Sequence, residues 1–171
     1  MEEKYAKILP QVYFSFIDHP FQKPSYVIYF CGCPRSCKGC HNKELQNANN
    51  PKCVQVDYNQ LFRKLFYYKD KFKEIDSLVL LGGEPTLYPY FLKMFLSRVK
   101  TVLHLEVVLY TGYLLEELLL KSYKFLLYVD IVVDGEYVEE LATGKFPASS
   151  NQRVWKKEKS FWEDITFLFL S

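Results

Sequence analysis

Four of the chain's five cysteines fall within residues 31–40, in the stretch CGCPRSCKGCHN that runs from Cys31 to Asn42. Thiols gathered so closely suit three kinds of chemistry: disulfide stapling, a zinc site or an iron–sulfur cluster. A structural zinc site would use all four, although such sites usually pair two cysteine knuckles about a dozen or more residues apart. The spacing Cys33-x3-Cys37-x2-Cys40 instead lets one loop wrap a cubane, place three thiolates on three irons and leave the fourth iron open. An open iron is a place for a second ligand. Cys31 ends an apolar run and reads as a small buried hydrophobe rather than a ligand. Cys53, alone in the stretch that follows, has no visible partner.

Such a loop needs rigid elements to carry it. SYVIYF (25–30) is β-branched and aromatic and lies between Pro24 and the first cysteine, which predicts a buried strand with the loop leaving its C-terminal end. Asp57 is an N-cap residue by type, and Leu61, Phe62, Leu65 and Phe66 recur at helical spacing, so a first crossover helix is expected over 57–73. SLVLLGGEP (77–85) gives a strand ended by two glycines, and YFLKMFLSRV (90–99) a helix. LEVVLYTGY (105–113) is a strand and turn, LLEELLLKSYK (114–124) a helix, and FLLYVDIVVDG (125–135) a strand ending in Asp-Gly. Strands and helices alternating, with nearly continuous apolar strands, predict an α/β fold whose mostly parallel sheet is covered by helices. Ligands of such sheets gather at the C-terminal strand ends, where Cys33, Gly83, Thr111 and Asp134 all fall. HNKELQNANNPK (41–52) and ATGKFPASSNQR (142–153) read as surface loops, and DITFLFLS (164–171) as a closing strand or a docking tail.

A chain of 171 residues with 49% apolar content is expected to form one domain over 1–171 with its own core. Its 22 basic and 20 acidic residues are spread along the chain without a clustered excess, which predicts neither a nucleic-acid nor a membrane partner. MEEKYAKILP lacks the apolar core of a signal peptide, and no apolar run approaches ~18 residues, so a soluble cytoplasmic protein is expected. In that reducing setting clustered cysteines serve as metal ligands or catalytic groups rather than disulfides, and their odd number argues against a complete disulfide framework.

Other residues carry weaker signals. The glycines of Gly82-Gly83-Glu84-Pro85 lack Cβ and let backbone approach a ligand closely, although alone the segment is a turn closing a strand. Thr111 either caps the next helix, the preferred reading, or binds a ligand. Asp134 forms an Asp-Gly turn or turns its carboxylate to a cofactor or cation, with Asp130 on the same strand face to support it. Asn151, Gln152 and Arg153 form a polar cluster. His19, His41 and His104 offer no spaced pair for a metal, and His104 reads as a surface residue.

The three-cysteine loop after the first strand, followed one helix later by Gly82-Gly83-Glu84, resembles the radical S-adenosylmethionine superfamily. The resemblance implies a [4Fe-4S] cluster on Cys33, Cys37 and Cys40, with S-adenosyl-L-methionine chelating the open iron. It further implies that Gly82, Gly83 and Glu84 hold the methionine end, that Gly39, Cys40 and His41 lie near the adenine, and that Thr111, Asp134, Asn151 and Arg153 contribute to cofactor binding. The implied fold is a partial, open TIM-like (β/α) barrel. Many members carry an aromatic residue before the third cysteine, where this chain has Gly39.

LYTGY (109–113), VDIVVDGEYVEEL (129–141) and SSNQRV (149–154) look like the activating proteins of anaerobic, class III ribonucleotide reductases. Ile17-Asp18-His19-Pro20 resembles their IDYPG segment, with Phe21 in place of the glycine. This likeness implies an oxidoreductase that places a radical on a glycine Cα of the large reductase subunit and draws on a low-potential electron donor. Two other readings remain open here: a small radical enzyme acting on a metabolite, similar to the deazaguanine-forming synthase, and a non-catalytic zinc-binding interaction module that uses Cys31.

Overall fold

A computed structural model describes residues 3–170; Met1, Glu2 and Ser171, at the ends of the two terminal segments considered above, lie outside the described residues. The strands are β1 (Tyr5–Ile8), β2 (Tyr13–Ser15), β3 (Ser25–Phe30), β4 (Val54–Asp57), β5 (Ser77–Gly82), β6 (Glu106–Tyr110), β7 (Ile131–Asp134), β8 (Arg153–Glu158) and β9 (Phe161–Asp164). They form one sheet in the order β4-β1-β3-β5-β6-β7-β8-β9, with β2 also pairing β3. The helices are α1 (Tyr58–Lys71), α2 (Pro89–Arg98) and α3 (Leu115–Leu120).

The α/β expectation holds, but the sheet is mixed rather than mostly parallel. Three pairings, β3–β5, β5–β6 and β6–β7, are parallel, and five flanking ones are antiparallel. β4 and β9 are the outer strands of the sheet and β8 lies next to β9; β8 and β9 carry exposed charged residues, and β4 is exposed over its first half. Their sequences therefore lack the continuous apolar runs that mark the parallel centre. The strand expected over 125–135 also divides: Lys124–Tyr128 is a 3₁₀ turn and only Ile131–Asp134 is strand. Phe125 and Leu126 are buried in the same cluster as the apolar face of α2, and an apolar run alone does not distinguish strand from buried helix.

Strand alternation sorts the core into two faces. Tyr26, Ile28 and Phe30 of β3, Leu78 and Leu80 of β5, and Val107 and Leu109 of β6 pack with the buried residues of all three helices. Val27, Val79, Val108 and Ile131 face the other way, on the same sheet face as Val154 of β8, and cluster with Ile165 and Phe169 rather than with α1, α2 or α3. The C-terminal segment thus continues from β9 into a 3₁₀ turn, Thr166–Phe169, rather than a closing strand. Phe169 packs on Phe21 and Phe146, with ring centroids 5.3 and 5.1 Å away. Phe21, which stands where the resemblance has glycine, is part of this covering.

α1 begins as its sequence predicts. Asp57 accepts the Asn59 N–H at 2.6 Å while the Gln60 side chain accepts the Asp57 N–H at 2.9 Å, a capping box. His104 is exposed, as expected, whereas His19 is buried. His19 Nδ1 accepts the Phe21 N–H at 3.0 Å, so Nε2 carries the hydrogen and donates to Glu106 Oε1 at 2.6 Å. That hydrogen bond, more than the nearby Lys23, holds the Glu106 carboxyl down from 4.5 to about 2. A depressed carboxylate adds stability that is complete above its ordinary value and is lost as pH falls through the folded one. Urea unfolding should therefore show wild-type stability dropping between pH 4.5 and about 2, and Glu106→Gln should be less stable at pH 7 with a flatter acid limb. Parallel wild-type and variant curves would contradict this linkage.

No helix among the described residues is long and apolar enough to cross a membrane.

Candidate functional site

A cleft of about 610 Å³ opens at the C-terminal ends of the four parallel strands, on the face without helices. Its floor takes one residue from each: Tyr29 from β3, Leu81 from β5, Tyr110 from β6 and Val133 from β7. These four were missed in the sequence, although two-residue alternation in each apolar strand marks them as facing away from the helices. Cys33, Cys37 and Cys40 line one wall, and all three are free and partly exposed. His41, Gly82, Gly83, Glu84 and Thr111 line it as well. Of the remaining residues singled out from sequence, Gly39, Asp134, Asn151 and Arg153 are not among its lining, whereas Gln152 is.

The cysteine loop leaves β3 and is closed at its base. Gly32 N–H donates to Leu45 O at 2.7 Å and Cys33 N–H to Gln46 O at 2.9 Å. Cys31 and Cys53 form a disulfide, Cα–Cα 6.4 Å, which corrects the expectation that Cys53 has no partner and that the chain holds no such bond. The cause is strand order. Ile8 of β1 pairs with both Phe30 and Val54, so Cys31, just past one, and Cys53, just before the other, meet beyond the end of β1. Cys31 is fully buried, in keeping with its apolar reading.

At the end of β5, Gly82 and Gly83 are required first by packing. A Cβ on Gly82, whose φ is +114°, would lie 2.2 Å from Phe30 O, and one on Gly83 would lie 2.3 Å from Gly32 O and 2.7 Å from Leu45 O. Glu84 is fully buried, and its carboxylate is shared among five donors, of which the Thr86 N–H at 3.3 Å is the longest. It accepts from Arg35 Nη1 at 2.7 Å, Thr86 Oγ1 at 2.7 Å, Thr111 Oγ1 at 2.8 Å and the Gly112 N–H at 2.8 Å. Thr111 thus donates to Glu84 and accepts the Tyr113 N–H at 3.1 Å; it does not cap α3, contrary to the preferred reading.

That cap comes from the neighbouring strand. Asp134 Oδ2 accepts the Leu115 N–H at 2.8 Å, the first residue of α3, where a carboxylate also suits the helix dipole. The same buried carboxylate accepts from Arg153 Nη2 at 2.6 Å and Trp155 Nε1 at 3.1 Å. Asp134 is therefore turned toward α3 and β8, and Asp130 does not support it. Asp130, before β7, accepts instead from Lys100 Nζ at 2.6 Å and the Val107 N–H at 2.8 Å. Asn151 Nδ2 donates to Glu136 O at 2.8 Å and Gln152 Nε2 to Gly135 O at 3.1 Å, so both brace the loop that follows β7. On the far wall His41 meets Tyr137, ring centroids 5.4 Å apart. Gly39 is exposed, and a Cβ there would lie 3.0 Å from Glu139 Oε1.

The residues fit an iron–sulfur cluster. Three thiols without a disulfide partner share one wall of the cleft, and burial pushes the Cys37 thiol up, with Glu136, Cys40 and Cys33 adding repulsion. Positive iron among them would relieve that repulsion. Among the described residues no three His, Cys, Asp or Glu side chains gather as a single metal ion requires; a cubane asks for one thiolate on each of three separate irons. Arg35, between the first two cysteines, is a site residue that sequence reasoning missed. Only its place inside the loop could have marked it.

Comparison with known proteins gives a consistent set of likenesses. The family described as 4Fe-4S single cluster domain matches residues 25–155. The anaerobic ribonucleoside-triphosphate reductase-activating protein of Enterobacteria phage T4 is 32% identical over 142 residues, 80% of this chain and 86% of its own. The protein of the same description from Vibrio cholerae serotype O1 is 32% identical over 134 residues, 74% of this chain and 84% of its own. The pyruvate formate-lyase-activating enzyme of Streptococcus mutans is 27% identical over 75 residues, 44% of this chain and 28% of its own.

Proposed function

Since the chain belongs to the 4Fe-4S single cluster family and, within it, to the anaerobic ribonucleoside-triphosphate reductase-activating proteins, we propose that it is a radical S-adenosylmethionine activase for a class III ribonucleotide reductase. The observation that carries the proposal is the wall of three free thiols, Cys33, Cys37 and Cys40, beside the ends of four parallel strands. These three would hold a [4Fe-4S] cluster. Held there and reduced, such a cluster would supply the electron for reductive cleavage of S-adenosyl-L-methionine, the chemistry that serves hydrogen-atom abstraction from a glycine Cα of the large reductase subunit.

The chain's own part is binding, orientation and exclusion of competing reactions. Gly82, Gly83, Cys40, His41 and Thr111 line the cleft where the cofactor would lie. Glu84 acts by joining the cysteine loop to the end of β6. Asp134 and Arg153 keep α3 and β8 in place, and Asn151 braces the Glu136 segment of the far wall, so these three serve the site from outside it. The floor of Tyr29, Leu81, Tyr110 and Val133 supplies an apolar and aromatic surface against which a nucleoside can pack.

The finer architecture follows the same reading: residues 1–171 act as one domain, an open partial (β/α) barrel of the radical S-adenosylmethionine type. Helices on one face and a cleft on the other support it. A cytoplasmic setting, in which a low-potential donor would supply the electron, belongs to the same reading, and the Cys31–Cys53 disulfide is, among the described residues, the one feature at odds with a reducing compartment. Neither the metabolite-directed enzyme nor the zinc module is favoured, since Cys31 is tied to Cys53 and the similar proteins are activating proteins.

Anaerobic reconstitution followed by dithionite and S-adenosyl-L-methionine tests the chemistry. Chromatography should detect 5′-deoxyadenosine and methionine in equal amounts. An iron-loaded chain that releases neither would rule the activity out.

A further inference from the structure

We propose that Arg35 is a positioning residue: its guanidinium clamps the cysteine loop to the ends of β5 and β6 and fixes a positive charge against Cys33. The inference rests on the reading of Cys33, Cys37 and Cys40 as cluster ligands.

Arg35 lies midway between Cys33 and Cys37, yet its side chain is only 12% exposed. Nη1 donates to buried Glu84 at 2.7 Å and stands 3.9 Å from Cys33 Sγ, while Nε donates to Glu136 at 3.0 Å. Its guanidinium carbon sits 4.1 Å from the centre of the Tyr113 ring. One planar group thus joins the loop, the end of β5 through Glu84, the turn after β6 through Tyr113, and the segment after β7 through Glu136. A lysine can offer the charge but neither the fork nor the flat stack. Room for the group is built into the turn: a Cβ on Gly112 would lie 2.5 Å from Arg35 Nη1 and 2.6 Å from Cζ.

Two consequences follow. Without Arg35, Glu84 would keep its hydrogen bonds from Thr86, Thr111 and Gly112 but lose its counter-charge, and a buried carboxylate without a cation is expensive. Cluster potentials also depend on local charge and on hydrogen bonds to the sulfurs, so the guanidinium beside Cys33 makes the added electron easier to accept.

Redox titration of the anaerobically reconstituted chain, followed by electron paramagnetic resonance, tests this in Arg35→Gln and Gly112→Ala. Gly112 does not occupy the left-handed region, so alanine there strains no backbone, keeps every charge and displaces the guanidinium. Both variants should shift the reduction equilibrium at least about tenfold toward the oxidised cluster, about 59 mV for a one-electron couple. Arg35→Lys should recover part of that shift. If Arg35→Gln takes up no cluster, Gly112→Ala decides. A Gly112→Ala chain titrating with the wild type overturns the inference alone, whereas a wild-type chain that takes up no iron overturns the proposed function and this inference with it.

Discussion

Replacing Cys37 by alanine should take the iron of the anaerobically reconstituted chain from about four atoms to almost none. Cys37 is the middle of the three free thiols and is partly exposed in the cleft wall, so its loss removes a ligand without opening the core. Cys53→Ser is the matched control. It breaks the only disulfide among the described residues but removes no group from the cleft, and it should keep most of the iron. Colorimetric iron and sulfide assays, with circular dichroism to confirm folding, separate the two. Equal iron in Cys37→Ala and wild type would remove the ligand assignment; equal loss in both variants would mean that loop closure, rather than ligation, controls uptake.

The second large effect is expected at Gly83, and it concerns folding before binding. A side chain there meets Gly32 O at 2.3 Å and Leu45 O at 2.7 Å, both backbone atoms at the base of the cysteine loop. Backbone cannot swing aside as a flexible side chain can, so even Gly83→Ala has to displace the loop, and Gly83→Val more so. Overpacking of this kind costs about 3 kcal/mol, enough to lower the urea midpoint of the metal-free chain clearly. Full stability in Gly83→Val together with lost cofactor binding would show that the glycine serves the ligand alone.

Gly83 also shows where sequence reading stops. A glycine pair at a strand end signals close approach, but the approaching partner is the exit loop of β3, its neighbour in the sheet, and that depends on the parallel pairing of Phe30 with Gly82. The parallel centre was legible because SYVIYF, SLVLL and EVVLY are buried over most of both faces and so are continuously apolar or aromatic after their first residue. β4, β8 and β9 were not legible, because β4 and β9 are the edges of the sheet and β8 is partly exposed beside one of them, so each mixes polar or charged residues into its pattern. Long-range pairings were the least accessible of all. Asp134 caps a helix that begins nineteen residues earlier, and Cys31 meets Cys53 only because β1 pairs with strands on both sides. The three cluster cysteines were legible for the opposite reason: their spacing is local, and one loop brings them to one wall.

Thr111 and Glu84 make the same point at the site. Thr111 was read as a cap from its own neighbourhood and Glu84 as a ligand contact from the resemblance, and the two are joined by a bond across the sheet at 2.8 Å. Buried polar groups need partners, and in a parallel sheet the nearest partner at a strand end belongs to the next strand rather than to the next residue.

The central claim, that this chain makes a glycyl radical on a class III ribonucleotide reductase, is tested most directly by electron paramagnetic resonance. The sample is the reconstituted, reduced chain mixed anaerobically with S-adenosyl-L-methionine and the reductase. The account predicts a doublet from a single glycine α-hydrogen, carried by the reductase and absent when Cys37→Ala replaces the wild-type chain. Release of 5′-deoxyadenosine with no organic radical on the reductase would contradict it.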